Sequence, residues 1–244
     1  MPDVVEVFDN MPGFSRFYVI TSTVLGLLVF MGLLKGSMIF VGVPQDLWTP
    51  KFILSLLFNG KMSLNLLLDL YFFSITCGRM EQQYKPTKYA EFMVMILFLI
   101  SLTYIIEIAI NWNGYALLST CFKMALTYIF CKRNPNERMI LFFMFTIKAA
   151  YLPFGLLIID LLQGGSIWSL VAGIAVGHAY VFLKDILPVS HKKDPLATPL
   201  WAIKLVNWIK NSNLPYVGRG GAAQAFGRDA DGLRPFAGQG HRIG

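Results

Sequence analysis

Residues 173–188 read GIAVGHAYVFLKDILP. No charged residue interrupts the run from Gly173 to Leu183. Gly173 and Gly177 stand four apart, so they share one helix face and let a second helix come close. His178 and Tyr180 follow on the same segment. The stretch ends the apolar run Ile167–Leu187 and reads as a membrane-crossing helix packed tightly on a neighbour. A histidine here is more often a satisfied structural group than a catalyst, because a catalytic imidazole needs a nucleophile within hydrogen-bond reach.

Working outward, five further apolar stretches stand out: Phe17–Phe40, Leu64–Cys77, Phe92–Ile110, Tyr115–Phe130 and Met139–Leu162. The expected architecture is an all-α bundle of six transmembrane helices within residues 1–190. Composition agrees: 55% of the 244 residues are hydrophobic and 14% charged, where a soluble domain carries about 25% charged residues. Crossing hydrocarbon takes about 20 helical residues. The second and fourth stretches fall short, so either their ends run into polar flanks or the bilayer thins beside them.

The connections orient the bundle. Arg79, Lys85 and Lys88 lie between the second and third stretches, Lys132, Arg133 and Arg138 between the fourth and fifth, and Lys192 and Lys193 after the sixth. The intervening NWNG at 111–114 and QGG at 163–165 have no basic residue. Basic loops stay in the cytosol, which places both termini there. The loop Val41–Lys61 then faces the other side. It is too apolar for a plain linker and reads either as an interfacial or re-entrant segment or as a helix packed on the bundle.

Other classes are excluded by what the chain carries. The N-terminal MPDVVEVFDN has no basic lead-in, and the apolar run after it is too long for a signal-peptide core. Cys77, Cys121 and Cys131 are an odd number without a CxxC pair, so neither a disulfide framework nor a metal site is expected. No cofactor motif is expected either. The net charge is +7, of which +5 falls after Leu187. A basic tail beside a membrane suits an anionic leaflet, and no nucleic-acid-binding module is recognisable.

Ionisable or amide side chains inside apolar helices mark a functional site or a paired structural role. Asn65, Asp69, Glu107, Lys123, Lys148, Asp160 and His178 are the candidates. Asn65 and Asp69 are four apart and share a helix face. Glu107 has Lys123 and Lys148 as alternative partners. A polar groove reached by water and a set of partners satisfied within the bundle both remain open.

An intramembrane serine protease of the rhomboid kind carries its nucleophile in a Gly-x-Ser-Gly turn opening the fourth span. Here that region reads NWNGYALLSTCFK, with Leu118 and Thr120 beside Ser119. With that turn missing, His178 has nothing to activate, and the bundle is expected to be non-catalytic.

These residues resemble the derlins, the inactive members of the rhomboid superfamily in the endoplasmic reticulum. RNPNERM at 133–139, FKMALTYIF before it, GIAVGHAYVFLKDILP, the ATP at 197–199 and the closing FAGQGHRIG carry the resemblance. It extends from FDNMPGFSRFY to the last glycine. The chain departs in the first loop, where the family's Trp-Arg pair falls on Pro50 and Lys51, with Trp48 displaced by two. Lys51 keeps the charge without arginine's planar fork.

The C-terminal part divides in two. Residues 191–210 contain TPLWAIKLVNWIK, where Thr198 and Pro199 give a helix start and Trp201, Leu205 and Trp208 recur at helical spacing. This reads as an amphipathic segment lying on the membrane. Residues 211–244 turn to Gly, Ala, Arg and Asp, a composition expected to be disordered. Their end resembles the SHP box, which docks on the AAA+ segregase valosin-containing protein. Its elements fall on Phe236, Gly238, Gly240, Arg242, Ile243 and the closing Gly244. Phe236 and Ile243 would fill apolar pockets while the glycines let the backbone lie close.

The resemblance implies a multi-pass protein of the endoplasmic reticulum membrane that helps misfolded proteins leave for ubiquitination and degradation. Its implied partners are the segregase, a membrane ubiquitin ligase, misfolded substrates and the bilayer. A monomer, a homo-oligomer and half a channel shared with the ligase all stay open. The rival classes are an active intramembrane protease, which needs a working serine, and a transporter or scaffold without segregase binding.

Overall fold

Long apolar runs free of interior proline form helices because lipid leaves every backbone amide to be satisfied within its own segment. The computed structural model describes residues 11–35, 38–42, 51–84, 88–112, 115–141, 145–162, 166–187, 196 and 198–211. Among them lie eight helices: α1 Gly13–Phe30, α2 Lys51–Leu57, α3 Leu64–Tyr84, α4 Tyr89–Ile110, α5 Leu118–Arg133, α6 Leu152–Leu162, α7 Ile167–Val181 and α8 Leu200–Asn211. The last turns of α7 continue as a π-helical segment, Phe182–Ile186. Two small antiparallel pairs complete the set. β1 Val41–Gly42 pairs with β2 Tyr115–Ala116, and β3 Arg138–Leu141 pairs with β4 Phe145–Lys148.

Among the described residues, three helices are long and apolar enough to cross a membrane: Gly13–Phe30, Tyr89–Ile110 and Ile167–Ile186, the last including the π segment. The expected second stretch is a helix of 21 residues because it runs past Cys77 through the polar flank to Tyr84. The expected fourth is α5, with 16 residues. The expected fifth differs most. Helix begins there only at a 3₁₀ turn, Ala149–Tyr151, and continues for the 11 residues of α6. Before it, Met139 pairs with Ile147 and Ile140 with Thr146 in the β3–β4 hairpin. β-branched and aromatic residues favour a strand there. Pro153, the second residue of α6, lacks the amide that a helix interior needs and is accommodated only in a first turn.

α5 is the centre of the bundle. Cys121, Phe122, Ala125, Leu126, Ile129 and Phe130 are buried around its circumference. α7 makes its closest approach here, and α3, α4 and α6 also pack on α5. Tyr18 of α1 stacks on Phe73 of α3, with ring centroids 4.0 Å apart. The outward side of α1 carries Phe17, Ile20, Val24 and Leu27, all exposed. Such a stripe suits lipid, and with the apolar helices it makes the chain a membrane protein.

Two polar joints hold α1, one at its start and one midway along it. Pro12 at its N-cap offers no side-chain acceptor. Instead, the amides of Phe14 and Ser15 each donate to a carboxylate oxygen of Glu81 on α3 at 3.1 Å, and the Ser15 hydroxyl donates at 3.2 Å. Midway along, the Ser22 hydroxyl donates to the Leu57 carbonyl at 2.7 Å and accepts from Asn59 Nδ2 at 2.6 Å. The Tyr18 hydroxyl donates to the Leu56 carbonyl at 3.0 Å. The apolar loop after α1 therefore takes the second of its two readings: α2 is packed on the bundle. α8 rests against α4 through buried Ala202, with Leu200, Trp201, Ile203 and Trp208 exposed.

Candidate functional site

Asp69 lies on the second turn of α3, facing α5. Its Oδ2 is 2.5 Å from Nζ of Lys123 on α5. Both residues line an open cleft between α3, α5, α6 and α7. Asp160 of α6 lines the same cleft and makes no hydrogen bond or ion pair among the described residues. The remaining walls are largely apolar: Leu68, Phe72 and Phe73 from α3, Met124 from α5, Leu156 and Ile159 from α6, and Leu170 from α7. Thr120 and Thr127 add hydroxyls about one turn to either side of Lys123 on α5. Two acids and one lysine thus sit in an otherwise greasy hollow, at a cost that membrane helices rarely carry without a role.

The other candidates separate. Glu107 is fully buried on α4 and pairs with neither lysine; its Oε2 accepts from Asn111 Nδ2 at 2.8 Å. Lys148 is exposed at the end of β4, opposite Arg138, and so lies outside the cleft. Asn65 belongs to the first turn of α3, and its side chain lies outside the described residues. Lys51 is the first residue of α2, while Trp48 lies outside the described residues. So do Phe236, Gly238, Gly240, Arg242, Ile243 and Gly244.

Gly173 and Gly177 lie on the seam between α7 and α5. A Cβ on Gly173 would come within 2.6 Å of the Cys121 carbonyl oxygen, and one on Gly177 within 2.8 Å of that of Ala125. Tyr180 is buried, 5.8 Å from the ring of Phe98. His178 is exposed, and its Nδ1 is hydrogen-bonded to the Tyr128 hydroxyl at 2.9 Å. Tyr128 is nine positions beyond Ser119 on α5, about 14 Å along the axis at 1.5 Å per residue. The Ser119 hydroxyl is buried with no partner among the described residues. Imidazole and serine are therefore not arranged as base and nucleophile.

A second polar group, unforeseen from the sequence, closes the opposite end of the same helices. Arg133 ends α5 and grips Asp185 of the π segment with both arms, Nε to Oδ2 at 3.1 Å and Nη2 to Oδ1 at 2.9 Å. Its Nη1 donates to the Tyr84 hydroxyl at the end of α3. The guanidinium also lies 5.6 Å from the ring centres of Tyr84 and Tyr180. Beside it, Arg79 bonds Glu137, and Gln83 Nε2 donates to Asn134 Oδ1 at 3.0 Å. The π segment carries Asp185 at its fourth position, where it meets Arg133. The sequence signal for this group was the polar density of RNPNER itself.

Residues 11–200 match the sequence profile of the Der1-like family. Among curated proteins, the chain is 28% identical over 207 residues to Derlin-2.1 of Arabidopsis thaliana, covering 80% of this chain and 85% of that one. It is 28% identical over 207 residues to Derlin-2 of Oryza sativa subsp. japonica, covering 80% and 83%. Against Derlin-1 of Arabidopsis thaliana it is 27% identical over 235 residues, covering 92% and 86%.

Proposed function

The chain belongs to the Der1-like family, and on that premise we propose that it is a non-catalytic export component of the endoplasmic reticulum membrane. It takes misfolded proteins out of the lumen or the membrane toward a membrane ubiquitin ligase and the proteasome. The observation that carries this reading is the cleft with its Asp69–Lys123 pair and unpaired Asp160. Moving a polar chain through hydrocarbon costs several kcal/mol for each unsatisfied group, on the order of 2–7 kcal/mol. A charged, water-admitting hollow lowers that cost on one side of the bundle. α6, which forms one wall, has 11 residues, about 16 Å of helix against about 30 Å of hydrocarbon. Lipid beside it must thin, which shortens the crossing further.

The basic connections put Arg79, Arg133 and the C-terminal tail on the cytosolic side. There the terminal FAGQGHRIG would dock the AAA+ segregase, whose ATP hydrolysis supplies the pull. The bundle lowers the barrier and the motor supplies direction.

The test is pulse-chase turnover of a misfolded luminal protein in cells whose own copy is replaced by the double variant Asp69→Leu/Lys123→Leu. Turnover slows several-fold while the variant is still inserted and folded. Unchanged turnover with a folded variant would remove the cleft from the mechanism.

A further inference from the structure

The cleft holds more acid than base. Asp69 and Lys123 neutralise one another at 2.5 Å, which leaves the Asp160 carboxyl as the surplus charge on the α6 wall. Asp160 has no hydrogen-bond or ion-pair partner among the described residues, and Lys123, the one cation lining the cleft, is already engaged. An unpaired carboxyl within a membrane helix is costly to keep charged, and a cation carried by a bound molecule would offset that cost. Around it, Leu156, Ile159, Leu68 and Leu170 offer apolar contact to an equally apolar body.

We propose that the cleft receives an apolar helical segment of a client protein that carries a lysine or arginine, with Asp160 as the counter-ion of that residue. The inference rests on the export reading and specifies its substrate class. A basic residue in a membrane helix that has lost its own acidic partner is costly to leave in lipid, and a carboxylate in the cleft would offset that cost. A lipid amine fits the site poorly, because a zwitterionic headgroup brings its phosphate beside a cleft whose formal charge is already negative. A free helix brings the cation alone, on a long stem that can reach past the apolar walls.

The probe is a set of synthetic single-span leucine–alanine helices with Lys, Leu or Glu at one position, moved stepwise along the helix. Each is titrated against the full chain in phosphatidylcholine nanodiscs and read by energy transfer between labels. At its best depth the Lys helix should bind the natural chain about tenfold more tightly than the Leu helix, the effect of one partly buried charge pair. Asp160→Asn should bring that ratio to about one, and Asp160→Lys should invert it, so that the Glu helix binds best. The charge swap guards against a variant that has merely lost its fold, because misfolding cannot create a new preference. Equal binding of Lys and Leu helices at every depth, a ratio unchanged in Asp160→Asn, or no binding by any helix would each overturn the proposal. No segregase or degradation enters this readout. A chain that shows the ratio but supports no client turnover would sink the export reading alone; turnover without the ratio would sink this inference alone.

Discussion

The two ends of α5 carry charge in opposite ways. At its C-terminal end, Arg133 spends its donors on Asp185 and Tyr84 and lies against two aromatic rings, tying α3, α5 and α7 together. Near its N-terminal end, Lys123 makes one ion pair with Asp69, and Asp160 lines the same open cleft with no hydrogen bond or ion pair among the described residues. A fully partnered polar group fixes helices relative to one another, since every alternative leaves something buried and unpaired. An under-partnered one does little fixing and leaves room. The same helix is thus clamped at one end and open at the other, and the glycine seam with α7 runs between the two regions.

The comparison breaks most readily at the seam. Gly173→Leu places atoms where the Cys121 carbonyl and Met124 already stand. It should cost about 3 kcal/mol and lower the thermal midpoint in detergent, followed by circular dichroism, more than any change at either end. Arg133→Ala removes three charge-assisted hydrogen bonds, two to Asp185 and one to Tyr84, so about 2 kcal/mol should be lost in the same measurement. Lys123→Leu alone leaves the half-exposed Asp69 carboxylate unpaired and should cost about 1 kcal/mol. The double variant Asp69→Leu/Lys123→Leu recovers most of that loss, because replacing both partners with apolar groups is close to neutral. If the double change is as damaging as Arg133→Ala, the cleft is a structural clamp like the other end, and the two ends of α5 do not differ in kind. Removing residues 235–244 should leave unfolding unaltered while abolishing capture of the segregase from solution in a pull-down. Phe236→Ala and Arg242→Ala should weaken that capture without truncation. Retained capture after truncation places docking elsewhere.

How much of this could be read beforehand depends on distance along the chain. Gly173 and Gly177 were legible because their message is local: four residues on one helix define a face. Asp69 and Lys123 were legible as candidates but not as partners, being 54 positions apart. No spacing rule selects Lys123 over Lys148 for a carboxylate on another helix. Lys148 in turn was misplaced because hydropathy does not separate an apolar hairpin from an apolar helix; Met139–Leu162 looked like one span. Pro153 was the overlooked mark, since it fits only where a helix begins. Arg133, Tyr84 and Asp185 come from three helices, and only the folded bundle shows that the arginine in RNPNERM is their common partner.

Glu81 adds an order in time to this picture. The amides it accepts from, on Phe14 and Ser15, lie 67 and 66 positions upstream. As the chain is made, the start of α1 leaves the ribosome long before the carboxylate that will satisfy it. The first helix therefore acquires its final seat only once the far end of α3 is present, and until then those amides have water rather than Glu81 to answer them. What is built first is fastened late, and any quality control that inspects this protein during synthesis meets α1 in its unfastened form.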